Sequence, residues 1–195
     1  MYTIIEDRSP YFIRFTHDGL DTLVDYCKNI AKSINFTAPF TNHRLSDADM
    51  SNILALTPLS TQFDIGLIAL FHTMPGLYYR AHKDGRNIHT GFNYSISILD
   101  TNCTTQWYSD DELKDYKIDF LKGRSREVSG FIKANHTPVC SMSARMGECV
   151  LFNTEIYHDF DNSMSESTRM LLIMRLRTPA DIYFDDAKKI MFGLQ

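Results

Sequence analysis

The segment Tyr78-Tyr79-Arg80-Ala81-His82-Lys83-Asp84-Gly85 restricts the folds open to this chain more than any other stretch. It follows an apolar run from Ile65 to Phe71 and sets an imidazole and a carboxylate two residues apart. In an extended strand, side chains at i and i+2 stand on the same side. His82 and Asp84 can then reach one ion together. A nitrogen and a carboxylate oxygen from one strand end supply two of the three groups of a 2-His-1-carboxylate facial triad. That arrangement suits iron(II) and leaves positions open for further ligands. The third group has to be a histidine from a later strand, and His158 is placed for it.

A His-x-Asp pair alone is weak in a chain with seven histidines, so its context has to support it. His158 follows Glu148-Cys149-Val150-Leu151-Phe152-Asn153, which reads as a strand. Ten residues separate it from Arg169, which opens a second apolar run, Met170 to Met174. An arginine there can hold a carboxylate through a two-pronged, charge-assisted hydrogen bond; the competing reading is a surface pair with Glu166. Tyr79, three residues before His82, can add a phenolic donor.

This order, Tyr-x-x-His-x-Asp, a distal His and an Arg after ten residues, resembles the iron(II)/2-oxoglutarate-dependent dioxygenases. The likeness to prolyl-hydroxylase-like members is strongest from Tyr79 to Asp84, and order and spacing carry it from about Gly66 to Arg177. The resemblance implies a double-stranded β-helix, also called a jelly roll or cupin-like fold. It implies His82, Asp84 and His158 as ligands of Fe(II), and Arg169 as the anchor for the far carboxylate of 2-oxoglutarate, with Tyr79 as a second contact. The expected activity is hydroxylation by O2, coupled to decarboxylation of 2-oxoglutarate to succinate. The substrate is left open between an amino-acid or peptide side chain and a small metabolite.

The rest of the chain predicts a mainly β domain with flanking helices, spanning 1–195 as one unit. A helical N-terminal part covers 1–60, a β-helix core runs from about 63 to 178, and a C-terminal helix spans 179–192. Tyr11 to Phe15 reads as a first strand. Leu20, Leu23, Val24, Cys27, Ile30, Ala31 and Ile34 recur at helical spacing over 19–34, with Thr16 or Asp18 as the cap. Residues 35–44 read as a loop, and Ser46 with Asp49 as the start of a second helix. From Phe92 to Leu99 the pattern alternates: Phe92, Tyr94, Ile96 and Ile98 on one face, Asn93, Ser95 and Ser97 on the other. A polar inner face suits a strand lining a polar pocket, so Asn93 is a co-substrate candidate. Segment 121–146 is irregular and basic, and reads equally as a lid or as a solvated loop.

At 195 residues one domain with a sizeable core is expected. Net charge of −4 gives no reason to expect a nucleic-acid or membrane partner. No run approaches the length of a membrane span, and the N-terminus lacks a signal-peptide pattern. The four cysteines show no Cys-x-x-Cys spacing and read as thiols of a reducing, cytoplasmic compartment. Two other functions use the same fold: a non-catalytic binding protein and a metal-dependent hydrolase or isomerase.

Overall fold

Alternating and fully apolar runs in the middle of the chain pair into two antiparallel sheets. The computed structural model describes residues 1–84, 88–98, 102–121, 125–177 and 182–194. In chain order the elements are β1 (Tyr2–Arg8), β2 (Phe12–His17), α1 (Leu20–Ala31), β3 (Phe40–Arg44), α2 (Asp47–Ala55), β4 (Ile65–Thr73) and β5 (Tyr78–Lys83). Next come β6 (Thr90–Ser97), β7 (Thr104–Tyr108), α3 (Asp110–Leu113), β8 (Ile118–Leu121) and β9 (Ser125–Val128). The chain continues with β10 (Cys140–Ser143), β11 (Cys149–Asn153), β12 (Tyr157–Asp161), β13 (Arg169–Leu176) and α4 (Phe184–Phe192). The larger sheet has the order β1-β2-β11-β6-β13-β4-β3, the smaller β10-β7-β12-β5-β9-β8.

The two sheets form a jelly roll, as the sequence predicts. Their inner faces meet in two apolar clusters. Phe12, Val150 and Phe152 of the larger sheet pack with Trp107 and Met142 of the smaller. Ala69, Leu171 and Ile173 pack with Ile98, Cys103 and Ala144. The outer face of the larger sheet, including Phe92, Tyr94, Ile96, Leu172 and Met174, is covered by Leu23 and Cys27 of α1 and by Phe184, Ala187 and Met191 of α4. The helices are thus scaffold, and the space between the sheets is left for chemistry.

Several elements differ from the sequence reading. Region 1–60 carries α1 and α2 but also three strands. β1 and β3 are the two edges of the larger sheet, and most of their residues stay half-buried or exposed, so neither shows an apolar alternation. Gly19, at φ 83°, rather than Thr16 or Asp18, precedes α1, which has no side-chain cap. Ser46 does cap α2, accepting from the Asp49 amide at 3.1 Å. Ile98 leaves the face of Phe92, Tyr94 and Ile96, because β6 carries an extra residue opposite Met170 and Leu171 that reverses the alternation. The start of the last helix at 179–181 lies outside the described residues; α4 itself begins at Phe184, behind a capping box of Tyr183 and Asp186.

The largest difference concerns segment 121–146. Residues 122–124 lie outside the described residues, but the rest is built into the fold. β9 extends the smaller sheet beyond β5, and β10 extends it beyond β7. Val128 and Phe131 pack with Ala81, Tyr108, Leu113 and Tyr157 on the outer face of that sheet. A lid over the pocket is therefore not what the described part forms. Beneath it, the fully buried Asp159 accepts hydrogen bonds from the hydroxyls of Tyr108 (2.8 Å) and Tyr78 (3.1 Å) and from the Gln106 amide (3.2 Å). Replacing Asp159 by Ala takes the acceptor from the half-buried Tyr78 hydroxyl and leaves the buried Tyr108 hydroxyl only Gln106 Oε1, at 3.2 Å, at a cost of about 1–3 kcal/mol. Urea unfolding of Asp159→Ala should register that loss; unchanged stability would show that the network does not hold β5, β7 and β12 together.

Candidate metal centre

His82 on β5 and His158 on β12 are direct cross-strand partners, with ring centroids 4.5 Å apart. Asp84 follows at the end of β5, its amide bonded to the Thr154 carbonyl at 3.2 Å. One donor atom from each of His82, Asp84 and His158 lies within 4.8 Å of the other two. His82 Nε2 stands 3.8 Å from Asp84 Oδ1.

Both imidazoles are oriented in the same way. His82 Nδ1 meets the Arg80 carbonyl at 3.0 Å, and His158 Nδ1 meets the Ile156 carbonyl at 2.9 Å. A carbonyl only accepts, so each Nδ1 carries the hydrogen and each Nε2 lone pair is left for a ligand. Such anchoring of the second ring nitrogen is the usual support of a metal-bound histidine. Burial, and then the neighbouring His82, push His158 down to about 4, so it is neutral near pH 7. For Asp84, burial alone would favour the neutral acid. The Arg175 guanidinium and the two imidazoles outweigh it and hold the carboxyl below its ordinary range.

Tyr79 shares the inner face with His82 although it lies three positions before it. A bulge allows it: His82 pairs with His158 and Tyr79 with Phe160, so β5 spends one more residue than β12 between the two pairs. Tyr78 is turned outward to Asp159 as a result. The Tyr79 ring packs edge-on against His82 (4.8 Å) and stacks on Phe40 (5.7 Å). Its hydroxyl donates to Glu127, and burial followed by that carboxylate pushes its pKa up to about 12.

The cavity between the sheets has a volume of about 220 Å³ and reaches from the triad to Arg169. That equals the share of roughly seven water molecules at about 30 Å³ each. Arg169 is 5% exposed and faces this cavity, with its guanidinium 4.2 Å over the Phe160 ring. Its Nε is buried without a hydrogen-bond partner, and no carboxylate among the described residues ion-pairs with it. The surface pair with Glu166 is therefore not formed. Asn93 also lines the cavity, on the polar face expected of it.

A residue that the sequence reading passes over completes the site. Arg175, on the same face of β13 as Arg169, places Nη2 3.4 Å from Asp84 Oδ2 and donates from Nη1 to Asn93 Oδ1 at 3.2 Å. The Asn93 oxygen is thereby engaged, which leaves its amide nitrogen as the group available to a ligand. The sequence carries one signal for this contact, Gly91, directly opposite Arg175 in the adjacent strand. A Cβ at Gly91 would sit 2.6 Å from Arg175 Nη1 and 2.8 Å from the Phe152 ring. Gly91→Ala should therefore destabilise the protein by about 1–3 kcal/mol through overpacking and move Arg175 off Asp84. Urea denaturation with a crystal structure of the variant would check both, and a neutral substitution with Arg175 in place would refute it.

The cluster sits between the sheets of a cupin-like jelly roll. No protein-family model matches the sequence, and no curated protein sequence matches it. Among solved structures, HygX from Streptomyces hygroscopicus, with nickel and 2-oxoglutarate bound, superposes with a TM-score of 0.57 at 9% identity over 84% of this chain and 81% of that one. The epimerase SnoN, in complex with Fe3+, alpha ketoglutarate and nogalamycin RO, gives a TM-score of 0.53 at 9% identity over 84% and 77%. AviO1 from Streptomyces viridochromogenes gives 0.51 at 12% identity over 87% and 90%. At these identities the likeness is one of fold. Among the described residues no helix is long and apolar enough to cross a membrane, and none of the four cysteines is in a disulfide.

Proposed function

We propose that this protein is an Fe(II)- and 2-oxoglutarate-dependent oxygenase, most simply a hydroxylase. The observation that carries the reading is the convergence of His82, Asp84 and His158, with both Nδ1 atoms already committed to backbone carbonyls. Two imidazole nitrogens and one carboxylate oxygen form the donor set that suits Fe(II) and leaves sites for other ligands. Arg169 supplies the second argument. A buried guanidinium without an anionic partner is costly, and a carboxylate is the partner that matches its planar fork. The 2-oxoglutarate far carboxylate fits there, with Tyr79 and the Asn93 amide nitrogen lining its path to the triad. HygX and SnoN, which share the fold, were crystallised with a metal and 2-oxoglutarate, which supports the same pair of groups here.

When bound, iron and 2-oxoglutarate together supply the oxidising power of O2, releasing succinate and carbon dioxide while a substrate C–H bond is oxidised. The chain's own residues hold and orient. Arg175 keeps Asp84 ionised and fixed, and Leu171 and Ile173 give the cavity a dry wall. HygX has also been crystallised with hygromycin B, and SnoN with a nogalamycin compound, so a small organic substrate is favoured over a macromolecule. A peptide side chain presented at the mouth fits the same site. The thiols and the absence of a membrane-length helix suit the cytoplasm.

Metal analysis should find one equivalent of iron per chain, lost in His82→Ala and in His158→Ala; full occupancy in either variant would remove the assignment. Arg169→Lys should weaken 2-oxoglutarate by at least about tenfold, because a bond to a charged group contributes about 1.5–3 kcal/mol. Metal affinity should change little. Calorimetric titration with 2-oxoglutarate separates the two effects, and succinate formation from 2-oxoglutarate separates an oxygenase from a binding protein or a hydrolase.

A further inference from the structure

Glu127 is placed for a role that neither the fold nor the triad demands. It lies on β9, the strand added beyond β5, directly opposite His82. Cross-strand partners share a face, with Cβ atoms about 5 Å apart, so Glu127 stands beside His82, one strand outward from the residues that line the cavity. The Tyr79 hydroxyl donates to it. Among the residues whose side chains are described, which leave out its neighbour Arg126, no Lys or Arg ion-pairs with it.

That last feature sets Glu127 apart. Other buried or half-buried carboxylates have a basic partner. Glu148 and Glu6 have Arg14, Asp84 has Arg175, Asp161 and Asp159 have Lys133, Glu155 has His89, and Glu112 has His136. Asp49 is the other exception among the described residues, and it is accounted for by closing the capping contact of α2. Glu127 caps nothing. A carboxylate that is partly withdrawn from water and held by one tyrosine gains most from an incoming cation, through a charge-assisted bond.

The cavity volume supports a role at the rim. Ligand pockets for drug-sized molecules span about 300–1,000 Å³, and the 220 Å³ here serves a small co-substrate. A second reactant has to stand at the mouth, against His82 and its neighbour. We propose that Glu127 is the specificity-determining residue of this site and that the substrate carries an alkylammonium or guanidinium group, which Glu127 receives, a few bonds from the carbon to be oxidised. The inference rests on the oxygenase reading for the word substrate, but the binding it predicts can be read without turnover.

The test is a titration of isotope-labelled protein with two probes that differ at one nitrogen, charged in Nα-acetyl-lysine amide and acylated and neutral in its Nε-acetylated counterpart. Nuclear magnetic resonance is followed at the amides of β5 and β9, with nickel(II) and N-oxalylglycine present. The amine should perturb those amides and bind at least about tenfold more tightly than the neutral probe. Glu127→Gln should abolish the difference, Glu127→Asp should keep part of it, and Glu155→Gln should keep all of it. Equal binding of the two probes, discrimination that survives in Glu127→Gln, or no perturbation of β5 and β9 would each overturn the assignment. Nickel binding is measured in the same samples; its failure counts against the metal reading, and the probe comparison still decides the role of Glu127.

Discussion

One extra residue in β5 arranges the site. Without the bulge, strict alternation would turn Tyr78 and Arg80 inward with His82, and Tyr79 outward. With it, Tyr79 and His82 both enter the cavity, and Tyr78 reaches the buried Asp159 on the opposite face. The bulge also supplies the Arg80 carbonyl that takes the His82 Nδ1 hydrogen. Register, ring orientation and tautomer of the first imidazole thus come from a single local irregularity. The second imidazole is set by the turn before β12, through the Ile156 carbonyl. Neither histidine depends on a distant side chain for its direction, which suits groups that must present lone pairs to a common point.

The larger sheet contributes charge where the smaller contributes the candidate ligands. Arg169, Leu171, Ile173 and Arg175 line one face of β13. The six residue steps from Arg169 to Arg175 span about 20 Å at roughly 3.3 Å each, so their guanidiniums enter the cavity from opposite ends. Arg175 meets a carboxylate of the protein, and Arg169 meets none among the described residues. The apolar pair between them keeps the interval dry, which strengthens both charges.

Much of this was legible from residue order. His82, Asp84 and His158 share the cluster they were expected to share, and Arg169 faces inward at the head of an apolar strand. What could not be read depends on contacts between distant segments. β1 and β3 are edge strands, half in water, and carry no alternation to detect. β12 reads Tyr-His-Asp-Phe-Asp because its outward Asp159 is satisfied by two tyrosines from other strands; polarity there disguises a buried strand. Arg175 looks like the solvated end of β13 until Gly91 and Asp84 are brought to it. Glu127 sits in a segment whose basic, glycine-containing composition suggests a lid or a solvated loop. In the fold that segment gains order by pairing with β5 and by burying Val128 and Phe131, interactions that local sequence does not announce.

The charges of the interior also argue for a particular kind of occupant. Arg175 and Asp84 offset each other at 3.4 Å, which leaves Arg169 as the excess charge inside. A divalent metal at the triad would add two more positive charges. An isolated buried cation is tolerated only with a partner or by losing its proton, and a guanidinium does not give up its proton in proteins. Burial does lower the affinity of Arg169 for its proton, yet no described carboxylate relieves it. An anion spanning from a metal at the triad to Arg169 would offset both charges, which supports the proposed reading. A dicarboxylate with one end able to chelate meets both requirements, whereas a monoanion would satisfy the metal and leave Arg169 as it is. Such a dianion would bring the sum over metal, Arg169 and ligand from three positive charges to one, and Glu127, opposite His82, adds one negative charge beside the triad.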